Sequence, residues 1–189
     1  QPLLLQFFVF SYIALAPFVG AFADAWPKKH VMFISNGIKL IGCLAMLFGM
    51  PPLYAYGIVG IGAAAYSPAK YGILTEILPD NSLVAANGWV EGSTVAAIIL
   101  GAMFGGVIAV YDVELAIITI SILYLVAAIF NKYMPNVPIN HKLKKNDPWS
   151  LIKDFLRSYK KLWNDPLGQL SLTITTLFWG AGATLRLVI

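Results

Sequence analysis

The sequence predicts an all-α membrane protein whose helices cross the bilayer several times. Of its 189 residues, 59% are hydrophobic and 12% are charged, whereas a soluble domain carries about 25% charged residues. Five apolar stretches are long enough to cross the hydrocarbon core, which requires about 20 residues of helix. They are too continuous to be barrel strands, which alternate over about ten residues. This composition excludes both a water-soluble monomer and a disordered chain.

The predicted spans follow one another at residues 3–23, 31–49, 53–69, 83–110 and 115–133, and a last one begins near Leu170. Two links are very short, residues 50–52 and 111–114, so the helices that flank each link are expected to be antiparallel neighbours. No secretory signal peptide is visible. Because apolar segments reach both ends of the sequence, we expect the chain to be part of a longer protein.

The basic residues are distributed unevenly between the connections. Of thirteen Lys and Arg residues, Lys39 and Arg186 lie inside apolar stretches. The other eleven all fall on one side, in the alternate links: Lys28, Lys29, Lys70, Lys132, Lys142, Lys144, Lys145, Lys153, Arg157, Lys160 and Lys161. Because positive charge is retained inside the cell, that side is predicted to be cytoplasmic, and the first span to run inward.

The long connection after the fifth span predicts a helix at the membrane surface. A basic cluster at residues 141–145 precedes a segment in which apolar residues recur every three or four positions: Trp149, Ile152, Leu156, Tyr159 and Trp163. Trp at headgroup level and Lys near anionic lipid are typical of an interfacial helix. A partner-binding or solvated helix is the alternative. The predicted division is a bundle at 1–134, a cytoplasmic linker at 135–169 and the first helix of a second bundle at 170–189.

Small residues crowd the fourth span, including Gly92, Gly101, Gly105 and Gly106. Such residues let two helices approach closely, so the pattern predicts helix packing there.

Three charges lie well inside apolar stretches: Lys39, Glu91 and Arg186. A charge at mid-bilayer costs about 2.5–3.5 kcal/mol and normally faces a bundle interior or a wet cavity. These residues therefore indicate a path for a polar substrate or ion, with a structural ion pair or a snorkelling side chain as the alternative. An Arg and a Lys facing a Glu can receive a zwitterion, with phosphate on the cations and ammonium on the carboxylate.

Enzymatic and nucleic-acid-binding motifs are missing from the sequence. Two His and one Cys provide no metal cluster of the usual spacing. The His-x4-Asp pattern of membrane acyltransferases, the Walker loop and the Gly-x-Ser-x-Gly turn do not occur, and the basic residues follow the membrane rule. We therefore expect no catalytic residue, metal, cofactor or nucleic-acid partner.

Several motifs resemble those of a known family. The segment from Gly20 to Asp24, followed by Lys28 and Lys29, resembles the Gly-x3-Asp loop of the major facilitator superfamily, with Ala25 where that loop usually has Arg. Four further stretches, at residues 35–40, 62–74, 86–94 and 177–186, resemble the bacterial lysophospholipid transporter (LplT) family. The resemblance extends over essentially the whole chain.

The resemblance implies a partial major facilitator bundle. Family members are roughly twice this length and have twelve spans, so this chain would supply spans two to six and the start of span seven. The implied function is to move 2-acyl-glycerophosphoethanolamine and related lysophospholipids across the bacterial inner membrane by facilitated diffusion or flipping. A cytoplasmic acyltransferase/acyl-carrier-protein synthetase would then re-acylate them.

The resemblance also implies roles for particular residues. It places Gly20, Asp24, Lys70 and Glu76 in a gating network at the cytoplasmic ends of neighbouring spans. In the leading hypothesis Arg186 and Lys39 bind the substrate phosphate, and Glu91 binds the amine or acts as a structural partner. Two alternatives stay open: a major facilitator drug or organic-anion porter, and a membrane scaffold that recruits the acyltransferase.

Overall fold

The computed structural model describes residues 2–135, 137 and 148–188, which form seven helices. They are α1 (Pro2–Ala25), α2 (Lys28–Leu47), α3 (Pro52–Ile77), α4 (Asp80–Tyr111), α5 (Val113–Asn131), α6 (Pro148–Asn164) and α7 (Pro166–Val188). They fall into two compact units, Gln1–Lys144 and Lys145–Ile189.

In the first unit α3 is the central helix, packed against both α1 and α2, while α2 also packs on α5. A small core of Ala23, Val31, Met32 and Ala69 lies where the end of α1 meets α2 and α3. α4 touches α3 and α5 over little of its length, and none of its residues is buried. α4 is therefore the most loosely held helix of this unit.

Glycines allow α2 and α3 to approach closely. A Cβ added to Gly62 would lie 2.6 Å from the Ser35 carbonyl oxygen, and one added to Gly42 would lie 2.7 Å from Val59 Cγ2. Side chains larger than hydrogen do not fit at these contacts. The predicted close packing of the fourth span is not found within the described chain, since a Cβ on Gly92 or on the other glycines of α4 would have no neighbour within 4 Å.

The turn between α2 and α3 is set by Gly49, whose φ is +88°. Its N–H donates to the Met46 carbonyl at 3.1 Å, and the Met50 N–H donates to the Ala45 carbonyl at 2.9 Å. This is a Schellman motif, which favours Gly because the left-handed conformation carries no Cβ penalty. Pro52 then begins α3 at once, so the two helices form a tight hairpin.

Asp112 separates α4 from α5 and caps the N-terminus of α5. Its Oδ1 accepts the N–H groups of Glu114 at 2.8 Å and Leu115 at 3.3 Å. A side-chain oxygen in this position satisfies N–H groups that have no partner in the first turn. The short predicted link is therefore a single capping residue.

In the second unit α6 and α7 meet at a closely packed corner. Asp165 Oδ2 accepts the Gly168 N–H at 2.9 Å, and Gln169 Nε2 donates to the Trp163 carbonyl at 2.7 Å. A Cβ on Gly168 would overlap the Leu162 carbonyl oxygen. The corner therefore depends on a capping Asp, a side-chain bond and a glycine.

The predicted spans coincide with helices, and two of their ends differ by four residues or more. α3 continues to Ile77, eight residues beyond the predicted end at Ala69, because Lys70 and Glu76 find partners inside the fold. α7 begins at Pro166 rather than near Leu170, because Asp165 caps it. Among the residues that the structure describes, four helices are long and apolar enough to cross a membrane, at Gln6–Ala25, Lys28–Leu47, Asp80–Tyr111 and Val113–Asn131.

The third predicted span, α3, does not satisfy that criterion. Its Tyr, Pro and Gly residues lower its hydropathy, and it is enclosed by α1 and α2 instead. The amphipathic segment predicted at residues 149–163 is α6. The basic cluster at 141–145 lies outside the described residues.

Candidate functional site

A charge cluster joins α1, α2 and α3 where α1 and α3 end and α2 begins. Lys28 Nζ lies 2.7 Å from Asp24 Oδ1 and 3.4 Å from Glu76 Oε1, and it donates to the Ala23 carbonyl at 2.9 Å. The Lys28 side chain is 5% exposed, whereas Asp24 is 65% and Glu76 is 20% exposed. A single buried ammonium therefore links three helices.

The order of Asp24 and Lys28 along the chain explains why their side chains meet. Asp24 lies in the last turn of α1, and Pro27 precedes α2, so Lys28 is the first residue of the next helix. Gly72 on α3 makes room for it, since a Cβ there would lie 3.0 Å from Lys28 Cε. The sequence analysis placed Lys28 among the link cations and in the motif that contains Asp24, but it did not pair the two residues.

The predicted gating residues divide between two places. Asp24 and Glu76 are brought together through Lys28. Gly20 lies one turn before Asp24, and an added Cβ would meet nothing within 4 Å in the described chain. Lys70 is not part of this cluster.

Lys70 instead links α3 to α4. Its Nζ donates to Thr94 Oγ1 at 2.9 Å and lies 4.9 Å from the centre of the Tyr71 ring. Because the Thr94 hydroxyl donates to the Val90 carbonyl at 2.7 Å, its oxygen acts as the acceptor for Lys70. Lys70 also lines a cavity of about 490 Å³ between α2, α3 and α4, together with apolar side chains such as Met32, Ile73 and Trp89.

Glu91 on α4 is held by a tyrosine rather than by a cation. The Tyr71 hydroxyl donates to Glu91 Oε1 at 2.5 Å. No Lys or Arg whose side chain the structure describes forms an ion pair with Glu91. Its hydrogen-bond partner within the described part of the molecule is therefore a hydroxyl and not a cation.

Tyr71 belongs to a row of polar groups along one face of α3. Ser67 lies one turn earlier, and its hydroxyl is 3.3 Å from that of Tyr12 on α1. Because the Ser67 hydroxyl also donates to the Ala63 carbonyl, Tyr12 acts as the donor to Ser67. We call Tyr12, Ser67, Tyr71 and Glu91 the polar track; it runs from α1 across α3 to α4.

Lys39 lies in the interior of α2, α3 and α5. It is 8% exposed, and its Nζ lies 3.2 Å from Asn36 Oδ1. The ring centroids of Tyr66 and Tyr124 lie 4.0 and 5.5 Å from the same nitrogen. An ammonium over an aromatic face is attracted by the ring quadrupole, most strongly where water is excluded.

The three predicted substrate-binding residues are not assembled into one described site. Lys39 and Glu91 form no ion pair with each other. Arg186 lies on α7, in the second unit, and its side chain is outside the described part of the structure. The aromatic and hydroxyl partners of Lys39 and Glu91 were missed because sequence reasoning matched charge with charge.

Long apolar helices that enclose a few partnered charges define a multi-pass helical membrane protein. A family model of the Major Facilitator Superfamily matches residues 3–188. The chain belongs to this superfamily, and the fold class predicted from the sequence is confirmed.

Individual proteins similar to this chain share one name. The chain is 46% identical over 189 residues to a protein of Serratia proteamaculans named Lysophospholipid transporter LplT. It is 45% and 44% identical to proteins of that name from Yersinia enterocolitica and Yersinia pestis. Each match covers 100% of this chain and 47–48% of the relative, so the chain spans about half the length of the curated relatives it matches. The resemblance predicted from the motifs is confirmed.

Proposed function

We propose that this protein is a lysophospholipid transporter of the bacterial inner membrane. The observation that carries the proposal is identity of 44–46% along the entire chain to proteins named Lysophospholipid transporter LplT. The substrate is 2-acyl-glycerophosphoethanolamine or a related lysophospholipid, moved by facilitated flipping. Its product feeds a cytoplasmic acyltransferase/acyl-carrier-protein synthetase, the functional partner, and the transporter itself is not an enzyme.

In this proposal charged side chains bind the lysophospholipid headgroup. Glu91 takes the ammonium, a role supported by its lack of a cationic partner among the described residues. Arg186 takes the phosphate, which a guanidinium binds through two parallel hydrogen bonds. Lys39 is buried under two tyrosine rings. This burial favours a structural role for Lys39 inside the helix bundle over direct contact with the lipid phosphate.

The cluster of Lys28, Asp24 and Glu76 is the proposed latch of one transport state. Its bonds hold the ends of α1 and α3 against α2. A rocking motion that separates these ends must break them, so the cluster biases the equilibrium between two packings. Lys70, bound to Thr94, fastens α4 to α3 beside this latch, and Gly20 leaves free space next to it.

The proposed orientation puts the basic links in the cytoplasm. α6 then lies in the inner-leaflet interface, where its Trp residues reach headgroup level and its Lys residues meet anionic lipid. No described contact favours the porter or the scaffold over the lipid transporter.

A flipping assay tests the function. The full-length protein is reconstituted in liposomes with a fluorescent lysophosphatidylethanolamine, and albumin extraction measures how much label remains in each leaflet. We expect faster exchange than in protein-free liposomes, almost complete loss with Arg186→Ala and partial rescue with Arg186→Lys. Exchange no faster than in protein-free liposomes would refute the function. Undiminished exchange with Arg186→Ala would remove only Arg186 from the site.

A further inference from the structure

The apolar and polar residues of α6 occupy opposite halves of the helix. At 3.6 residues per turn, one half carries all the large apolar side chains and the other half carries all the charged ones. The apolar half consists of Trp149, Leu151, Ile152, Phe155, Leu156, Tyr159, Leu162 and Trp163. The polar half consists of Ser150, Lys153, Asp154, Arg157, Ser158, Lys160, Lys161 and Asn164. α6 is therefore amphipathic along its whole length, as interfacial helices are.

Much of the apolar half is exposed in the second unit. Trp149 is 68%, Leu156 is 56% and Trp163 is 49% exposed. A contiguous exposed apolar surface marks a place that binds lipid or another protein.

Two lysines at the edge of the apolar half favour lipid. Lys153 follows Trp149 by one turn, and Lys160 follows Leu156 by one turn, so both lie where the polar half meets the apolar half. A Lys in this position lays its carbon chain along the apolar surface and brings its ammonium to headgroup level. Neither ammonium forms an ion pair with a described side chain. This edge therefore complements a leaflet that carries negative charge.

The other two cations of α6 are placed differently. Arg157 is compensated by Asp154, whose Oδ1 lies 3.3 Å from the Arg157 Nη1. Lys161 follows Arg157 by one turn and lies in the middle of the polar half, away from the apolar surface. The two edge lysines, rather than all four cations, are thus the ones positioned to bind lipid headgroups.

The corner at the end of α6 ties α7 to this helix. Gln169 Nε2 donates to the Trp163 carbonyl at 2.7 Å, and the Gly168 N–H donates to Asp165 Oδ2 at 2.9 Å. Gly168 is closely packed against Leu162, with no room for a Cβ. A displacement of α6 is therefore passed to the start of α7.

We infer that α6 binds the anionic lipids of the cytoplasmic leaflet through its apolar half and the ammonium groups of Lys153 and Lys160, and that this docking sets the position of α7. The anionic lipid is then a regulator of flipping and not its substrate. The docking itself is independent of the proposed function, whereas its effect on flipping rests on that function.

The first experiment measures docking in the reconstituted full-length protein. Leu156→Cys, in a background without other cysteines, carries a fluorescent label on the apolar half, and spin-labelled lipid quenches the label when α6 is docked. Vesicles of phosphatidylcholine alone are compared with vesicles that also contain phosphatidylglycerol, and we expect quenching to rise with phosphatidylglycerol. Absent quenching would indicate a solvated or protein-bound helix, and quenching independent of phosphatidylglycerol would exclude the anionic lipid. Either result would overturn the inference.

Lys160→Gln and Lys161→Gln form a matched pair. They remove the same ammonium from adjacent, exposed positions that point in different directions, so both variants should fold. Lys160→Gln should lower the ratio of docked to released α6 about 5-fold, and Lys153→Gln combined with it should lower the ratio further. Lys161→Gln should keep the wild-type ratio. Equal effects of Lys160→Gln and Lys161→Gln would overturn the assigned contact.

The second experiment measures flipping of lysophosphatidylethanolamine in the same vesicles. The wild-type rate should rise with phosphatidylglycerol, and Lys160→Gln should need more of this lipid to reach the same rate. Gln169→Leu removes the bond to the Trp163 carbonyl, so it should leave docking unchanged and weaken the dependence of flipping on phosphatidylglycerol. Full dependence in Gln169→Leu would overturn the role assigned to α7.

The failure of the proposed function is distinguishable from the failure of this inference. If the label is quenched as expected but the wild-type protein flips no lysolipid, the function is wrong and the docking stands. If the protein flips lysolipid at a rate that phosphatidylglycerol does not change, the function stands and the regulatory role is wrong.

Discussion

Three charged side chains of the first unit are stabilised in three different ways. Lys28 is held by two carboxylates, Lys39 by an amide oxygen and two rings, and Glu91 by a hydroxyl. Only the first arrangement compensates charge with opposite charge. We therefore expect removal of the charge to have a different effect at Lys39 and Glu91, which have no ionic partner among the described residues, than at Lys28, which has two.

Lys28 should be far more important for stability than its exposed partner. Lys28→Met leaves two carboxylates without their cation, one of them only 20% exposed, and should cost about 3 kcal/mol of unfolding free energy. Asp24→Asn removes a partner that is 65% exposed and should cost less than about 1 kcal/mol. Unfolding in mixed detergent micelles measures both.

Lys29→Met is the control for this comparison, because it removes the adjacent ammonium, which forms no ion pair with any described side chain. It should behave like the wild type. Equal losses in Lys28→Met and Lys29→Met would mean that the cluster does not hold the three helices together.

Lys39→Met distinguishes the two roles considered for this residue. Met has a similar length and no charge, and replacing a buried charge with an apolar side chain of similar volume is often neutral or stabilising. We expect an unchanged or higher melting temperature and retained flipping. Lys39→Ala should lower the melting temperature, since it leaves a cavity beside Tyr66 and Tyr124.

Loss of flipping in folded Lys39→Met would give the opposite answer. It would support the phosphate-binding role expected from the sequence, because only that role requires the charge itself.

At the scale of helices, the contact between α2 and α3 depends on which glycines face it. Gly62 meets the Ser35 carbonyl and the Lys39 side chain, whereas a Cβ on Gly57 of the same helix would meet nothing within 4 Å. Close packing makes such a contact intolerant of a single extra methyl. The sequence pattern of small residues cannot separate the two positions, because the register of α3 against α2 decides it.

Gly62→Ala should therefore destabilise the protein, and Gly57→Ala should not. Overpacking typically costs about 1–3 kcal/mol, while Ala in an open helical position gains up to about 1 kcal/mol over Gly. Melting temperatures in detergent should move in opposite directions. Similar shifts of the same sign for both variants would show that the two backbones do not approach as described.

For the whole molecule, composition and the length of apolar stretches were sufficient to predict the helices but not the contacts between them. The four-residue spacing of Asp24 and Lys28 predicts a side-chain pair only where both residues lie in one continuous helix. Here α1 ends before Pro27 and α2 begins after it. Tyr71 and Glu91 are twenty residues apart, a separation that no local pattern encodes. The helix predicted at residues 53–69 is present as α3, but it continues to Ile77, because Lys70, which was assigned to the following link, and Glu76 find partners inside the fold.

Orientation in the membrane is a prediction that concerns the entire chain. In a Cys43→Ser background, Asn81→Cys lies at the start of α4, and Glu114→Cys lies at the start of α5; both positions are exposed. An impermeant maleimide should label Glu114→Cys in intact spheroplasts and Asn81→Cys only after permeabilisation, because basic links stay inside. The reverse pattern would invert the proposed topology.

The Gly49 turn also matters during biogenesis. Alone, α2 would bring Lys39 into lipid at a cost of about 2.5–3.5 kcal/mol. Because only residues 48–51 separate α2 from α3, the two helices can leave the translocon as a hairpin, with Tyr66 already covering the ammonium. A helix that would resist insertion by itself is thereby carried into the bilayer by the one that follows it.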